Sequence, residues 1–243
     1  MSARSPDELR NVAKLPATPL GRLLGRAEEW IYALNAQDHP IFRLYDAGNS
    51  VWARVAFGGV RSRARDFRAE LRGRDGARAW MRGLAPEDED ALVALFSQFD
   101  FRFMPPHPLD QPTARRVLTS PHCLPLGVED AEGRLVGYSL IRLFFPRRAV
   151  MGLWLLRSVH TQGFGNAAAF ATTLLTRSEG LPNFVTIPRE NLPSLATVLS
   201  CGWRLLRTNR GFHVLVHEGR TGPAPGSIAA VVPASSDASR ASA

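Results

Sequence analysis

Apolar positions along the chain change period several times, and the changes mark out its elements. Leu20, Leu23, Leu24, Ala27, Ile31 and Leu34 recur at helical spacing and predict a helix over Leu20 to Ala36, ended by Asp38-His39-Pro40. Asn49 or Ser50 would cap a second helix running through Val51, Val55 and Val60 toward Leu71, with Gly58-Gly59 as an interruption. From Ala77 the pattern shortens. A strand over Ala79 to Leu84 is followed by Pro86-Glu87-Asp88-Glu89-Asp90, whose proline and clustered acids suit a helix start. Ala91, Leu92, Leu95, Phe96 and Phe99 form that helix's buried face, and another helix covers about Gln111 to Leu118.

Three strands come next, Leu124 to Glu129, Leu135 to Phe145 and Ala149 to Val159, with hairpins around Asp130–Gly133 and Pro146-Arg147-Arg148. A helix follows from Gly163 to Ser178, then a strand from Phe184 to Pro188 and a helix from Leu192 to Ser200. Trp203 to Thr208 and Phe212 to Glu218 make a last hairpin around Asn209-Arg210-Gly211. Strands interleaved with helices and hairpins imply an α/β class fold, a mixed sheet with helices on both faces.

Composition sets the boundaries. Arg72-Gly73-Arg74-Asp75-Gly76 reads as a linker, and after Glu218 the chain falls to Gly, Pro, Ala and Ser. The expected organisation is a basic helical extension over 1–76, a folded domain over 77–218 and a disordered tail over 219–243. The net charge of +8 rests almost wholly on arginine, Lys14 being the one lysine. That charge is compatible with nucleic acid, anionic lipid or acidic small molecules and does not choose among them. Arg54, Arg61, Arg63, Arg65, Arg68, Arg72 and Arg74 stand against Asp66 and Glu70, which reads either as a solvated helix face or as a dock for an acidic partner, lipid head groups or the phosphates of a cofactor.

No nucleic-acid module appears, and aromatics are not interleaved with the arginines. Two cysteines, Cys123 and Cys201, suggest neither a disulfide framework nor a zinc site. With no leader pattern near Arg4, Asp7, Glu8 and Arg10, and no apolar run of membrane-spanning length, a soluble cytoplasmic protein is expected.

The most informative stretch is Leu155 to Ala167. An apolar run stops, Gly163 and Gly165 punctuate a turn, and a helix of small residues begins at once. Such a turn lets backbone approach a ligand, and the helix behind it presents unpaired N–H groups and a positive dipole end. That makes a cradle for an anion such as a pyrophosphate, although the same pattern also serves as a plain tight turn.

The order of elements, with Gln162-Gly163-Phe164-Gly165-Asn166-Ala167, resembles the GNAT N-acetyltransferase superfamily over Ala77 to Glu218. The hexapeptide is similar to the family's Q/R-x-x-G-x-G/A coenzyme A turn. Asn191, followed eleven and twelve residues later by Gly202-Trp203, is similar to its N…G-F signature. The resemblance implies a mostly antiparallel sheet splayed between the family's strands 4 and 5, with acetyl-CoA or another acyl-CoA as co-substrate and no metal. It places the pyrophosphate on the amides of Gly163, Phe164, Gly165, Asn166 and Ala167 beside Gln162. The pantetheine would lie along Leu155, Leu156, Arg157, Ser158 and Val159, positioned by Asn191, with a backbone N–H polarising the thioester carbonyl.

Two expected residues are missing. Many family members carry a tyrosine acid seven residues after the asparagine, and Val198 stands there. Many place a glutamate base on the fourth strand, and Ala149 to Val159 contains no carboxylate. An amine with a pKa near 10 must still lose a proton before attack. His107, in Pro-Pro-His-Pro, is a candidate base or substrate contact, or a surface histidine on a rigid loop. His160, beside the turn, is a catalytic candidate, a cap or a phosphate neighbour. Cys201 fits packing, and His213 and His217 read as structural or acceptor-facing.

The leading expectation is therefore a GNAT-type acyltransferase acting by direct attack of a small amine in a ternary complex. Arg147-Arg148 suggests an anionic acceptor such as a nucleotide-linked amino sugar. Two alternatives remain open. One is a catalytically idle acyl-CoA-binding regulatory module, and the other is transfer from an acyl carrier protein docked on the Arg54–Arg74 face. Residues 1–76 would pack on the domain or form a homodimer.

Overall fold

The computed structural model describes residues 40–73, 76–99, 110–144, 148–208 and 211–217. Eight strands form one sheet: β1 (Arg68–Arg72), β2 (Arg78–Gly83), β3 (Cys123–Glu129), β4 (Leu135–Phe144), β5 (Arg148–Leu155), β6 (Asn183–Pro188), β7 (Arg204–Thr208) and β8 (Phe212–His217). Their order across the sheet is β1-β2-β3-β4-β5-β6-β8-β7. Every neighbouring pair is antiparallel except β5 with β6. Six helices accompany them among the described residues: α1 (Pro40–Ala56), α2 (Val60–Asp66), α3 (Glu89–Phe96), α4 (Gln111–Thr119), α5 (Phe164–Ser178) and α6 (Leu192–Ser200).

Two cores sandwich the sheet. The larger gathers Val60 and Ala64 of α2, alternate residues of β1 to β5, and the buried faces of α5 and α6. The smaller lies under α3 and α4, where Leu92, Leu95, Phe96, Ala114, Val117 and Leu118 meet Cys123, Tyr138 and Leu140. The period-two alternation of the strands is what sends each face of the sheet to its own core.

Three expectations change here. The stretch read as one helix from Asn49 to Leu71 is α1, then α2, then β1, which pairs along its whole length with β2. Arg68-Ala69-Glu70-Leu71-Arg72 buries Ala69 and Leu71 between exposed arginines, and that alternation makes it a strand despite its charge. β1 and β2 consequently pair as neighbours in sequence, with Gly73 N–H donating to Ala77 O at 2.8 Å just beyond β1, and the sheet begins before the expected boundary. The strand expected to reach Val159 ends at Leu155, and Arg157–Gln162 is a 3-10 turn. Most other elements fall within a residue or two of expectation. The predicted 20–36 helix and the 219–243 tail lie outside the described residues.

The β5–β6 junction matters most for function. Pairing is confined to Ala149 with Asn183 and Val150 with Phe184, tied by Ala149 N–H to Pro182 O at 3.0 Å. β5 continues for five more residues to Leu155, paired as a strand with β4 alone, and Leu155 O is taken by His160 Nε2 at 2.8 Å. The sheet therefore splays between these strands. Because strand residues alternate, Leu153 and Leu155 turn their main-chain groups toward the gap, while Leu156 N–H bonds back to Val136 O at 2.8 Å.

Candidate functional site

The glycine turn stands directly after the splayed end of β5. Gly163 has φ 82° and ψ 2°, the left-handed conformation in which a glycine carries no side-chain penalty. It reverses the chain between the 3-10 turn and α5 and stands at the N-cap of that helix. No side chain caps α5 there, and its first turn contains no acid. A helix start leaves its first N–H groups without intrahelical partners and concentrates positive potential. Here both are left to whatever occupies the space in front of them.

That space is a cavity of about 470 Å³ lined by Arg72, Gly73, His160, Gly163, Gly165, Asn166 and Thr197. At Gly165 a Cβ would come no closer than 3.8 Å to any neighbour, namely Leu155 Cδ1 and then Thr197 Oγ1. Gly165 is therefore not required by packing. Its missing side chain keeps the cavity wall flat against backbone.

The sequence-predicted residues divide into three groups. Gly163, Gly165 and Asn166 line the cavity with His160, whereas Phe164 and Ala167 point into the core and can offer only their amides. Leu156, Arg157, Ser158 and Val159 do not continue the strand. They form the 3-10 turn and its cap, and Val159 is buried, so the extended edge facing the gap belongs to Leu153 and Leu155. Gln162 Nε2 donates to Ser158 O at 3.3 Å and braces the turn from within. His107 and Arg147 lie outside the described residues.

Asn191 caps α6. Its Oδ1 accepts from Ser194 N–H at 3.2 Å, with Pro193 in the first helical turn. Its demonstrated task is to fix where α6 begins.

His160 Nε2 lies 2.8 Å from Leu155 O. A carbonyl only accepts, so Nε2 carries a proton and is the donor. The same bond joins the 3-10 turn to the end of β5. Cys201 is buried, its thiol pushed up to about 11 by burial, and it donates to Asn166 O at 3.4 Å. It is a packing cysteine that ties the end of α6 to the first turn of α5.

Val198, at the position of the family's acid, is buried in the core, and its neighbour Thr197 reaches the cavity wall instead. β5 presents no carboxylate. His213 and His217 are both buried, and burial holds both below the ordinary imidazole range, reinforced by Arg189 for His213 and by Arg177 for His217. His213 Nδ1 shares a hydrogen bond with Thr208 Oγ1 at 2.9 Å, and the His217 ring packs on Trp203. They are structural groups of the last hairpin.

Sequence reasoning held Arg72 only as one of seven arginines open to a phosphate role, and missed Gly73 and Thr197 as cavity residues. The first two are about ninety positions from the turn in sequence, and only the β1–β2 pairing brings them there. Among the described residues no cluster of three His, Cys, Asp or Glu is placed to hold a metal ion, and no helix is long and apolar enough to cross a membrane.

No protein-family model matches the chain, and no curated protein matches it in sequence. Its backbone, however, is similar to solved structures. The GNAT domain of S. lividans PAT superposes with a TM-score of 0.57 at 15% identity, covering 62% of this chain and 96% of that one. A GNAT-family acetyltransferase from Streptococcus pneumoniae gives 0.50 at 13% identity, covering 57% and 98%. A chimera of spermidine N-acetyltransferase SpeG from Vibrio cholerae and hSSAT gives 0.50 at 14%, covering 58% and 95%. With its splayed β5–β6 pair, its glycine turn and superpositions that take in nearly the whole of those chains, the chain has the GNAT fold.

Proposed function

We propose that the protein is an acyl-CoA-dependent N-acyltransferase that uses acetyl-CoA or a related thioester and a small amine acceptor. The observation that carries this reading is the uncapped start of α5, opening into a cavity at the end of a strand whose edge is left unpaired by the splay. The donor set suits coenzyme A. Amides of Gly163 to Ala167 and the α5 dipole complement a diphosphate. The Leu153–Leu155 edge offers strand-type hydrogen bonds to the amides of an extended pantetheine arm. Bound there, an acyl-CoA would supply the thioester, and its coenzyme A thiolate, with an intrinsic thiol pKa of about 8.5, would leave without needing an acid.

The chain's own contribution is positional and electrostatic. The Leu153 N–H points into the gap and stabilises negative charge developing on the thioester carbonyl oxygen. Holding donor and acceptor in one cleft provides the proximity term. His160 shares its wall with the turn glycines, so its role is at the phosphate end, orienting the turn through Leu155, and not as base at the reacting carbon. β5 supplies no carboxylate base, attack proceeds from the neutral amine, and rate should follow the fraction of amine in that form.

Support for an anionic acceptor weakens. Arg148 opens β5 at its paired end, about 20 Å from Leu155 by strand rise. The carrier-protein reading weakens as well, because the expected arginine face is split between elements. Arg61 caps the carbonyl end of α4 through Leu118 O and Ser120 O, Arg63 pairs with Glu179 at 2.5 Å, and Arg72 belongs to the cavity wall.

The test is calorimetric titration with acetyl-CoA, followed by thiol release in the presence of an amine panel. Binding with amine-dependent thiol release is expected. Binding without any release would favour the idle acyl-CoA-binding module, and absence of binding would end the donor reading.

A further inference from the structure

The cavity is walled on one side by the turn and on the other by the end of β1, a strand that the glycine motif does not include. β1 reaches the turn because residue 73 has no side chain. A Cβ on Gly73 would sit 2.3 Å from Gln162 O and 2.9 Å from the Phe164 ring. Gly73 thus presses backbone to backbone against the donor turn, and Arg72 enters the cavity wall with it.

Arg72 is poorly matched by the protein itself. It stands opposite Arg78 in the β1–β2 register, an arrangement of like charges that destabilises a strand pair. Glu70 is the acid that compensates it. Its Oε1 lies 3.4 Å from Arg72 Nε and 3.7 Å from Arg78 Nε, so one carboxylate is divided between two guanidinium groups. The Arg72 side chain is 59% exposed, so solvent screens that contact heavily. Folding gains little from this arginine.

Resting on the donor reading above, we infer that Arg72 is a phosphate-binding residue of the donor site, swinging from Glu70 onto a phosphate of coenzyme A held at the α5 turn. A guanidinium matches phosphate oxygens with a two-pronged, charge-assisted hydrogen bond that a shared exposed carboxylate cannot equal. The turn then contributes neutral amides and a dipole, and β1 contributes the formal positive charge. Glu70 is the resting partner of that charge, and displacing it frees it for Arg78.

The experiment titrates the full chain with coenzyme A and with 3′-dephospho-coenzyme A by calorimetry at two salt concentrations, for wild type, Arg72→Gln and Arg72→Lys. Arg72→Gln is expected to weaken coenzyme A binding about tenfold or more and to flatten its salt dependence, with lysine restoring part of both. The unfolding temperature should hold or rise slightly, since a like-charge pair is removed. A loss restricted to coenzyme A would place the contact at the 3′-phosphate, and an equal loss with both ligands would place it at the diphosphate. Unchanged affinity in Arg72→Gln overturns the inference. So does a loss that tracks a lower unfolding temperature while the salt dependence stays at the wild-type value. Failure of the wild type to bind coenzyme A would instead defeat the donor reading itself.

Discussion

Two helices begin within thirty residues of each other beside the same cleft, and they begin differently. At α6 the Asn191 side chain accepts from Ser194 N–H, and Pro193 removes one donor that would otherwise need a partner. At α5 the N-cap is a left-handed glycine with no side chain to give, no acid follows in the first turn, and Gly163, Gly165 and Asn166 line a cavity. α4 follows the α6 pattern, with Asp110 accepting from Thr113 N–H at 2.9 Å. A helix start completed by its own side chain is structural and finished. One left incomplete in front of a cavity has its hydrogen-bonding capacity in reserve for a ligand.

The largest expected effect comes from filling the incomplete end. Gly165→Leu puts its Cβ at ordinary contact distance, 3.8 Å from Leu155 Cδ1, and its longer side chain on the cavity wall, so it should fold while blocking the cavity. Coenzyme A affinity should fall by about 100-fold or more, because two or more amide-to-phosphate hydrogen bonds of roughly 1.5–3 kcal/mol each are lost. Calorimetry with a parallel melting curve checks it. Gly163 is the poorer site for this purpose, because a side chain at φ 82° adds backbone strain of its own.

The completed end should respond in the opposite way. Asn191→Ala is expected to cost about 1 kcal/mol of stability, the usual value of an N-cap, and to leave coenzyme A affinity within about twofold. Denaturant unfolding and titration of the same sample read both. A large affinity loss at unchanged stability would make Asn191 a ligand contact and erase the contrast with Gly163.

The smallest change concerns pH. Amides do not titrate, so the turn itself gives donor binding no pH dependence, and any pH dependence that the cavity side chains add should vanish in His160→Gln. The β7–β8 hairpin behaves otherwise. His213 and His217 have folded pKa values below the unfolded 6.5, so the folded state binds fewer protons than the unfolded one in that window. Their contribution to stability is complete above about pH 6.5 and is lost as the pH falls from there toward their folded values. Chemical denaturation at pH 7.5 and 5.5 should show the decline, and His213→Gln should remove part of it.

The same contrast explains what could be read from the chain. Gly163 and Gly165 announce the turn because local backbone chemistry selects those residues, and a strand before and a helix after frame them. The end of β5 was not legible. Leu155 and Leu156 continue one apolar run, and nothing local says that Leu156 turns its amide back to Val136 while the next residues coil. β1 was legible in principle, since Ala69 and Leu71 alternate with charged neighbours, but the arginine run around it has the look of a helix face. Arg72 could not be singled out from the other arginines open to a phosphate role, and Gly73 read only as part of a linker. Their place in the site depends on the β1–β2 register and on a contact with Gln162 across the fold. Asn191 shows the reverse case, a family position whose visible work is to cap α6.

The most direct measurement is an amide-resolved NMR titration of ¹⁵N-labelled protein with acetyl-CoA. If α5 holds the donor's diphosphate, the Gly165, Asn166 and Ala167 amide resonances shift strongly and saturably, the Leu153 amide shifts with them, and the capped Ser194 amide stays near its starting position. Titration that leaves the first-turn amides of α5 in place, whatever moves elsewhere, would contradict the account.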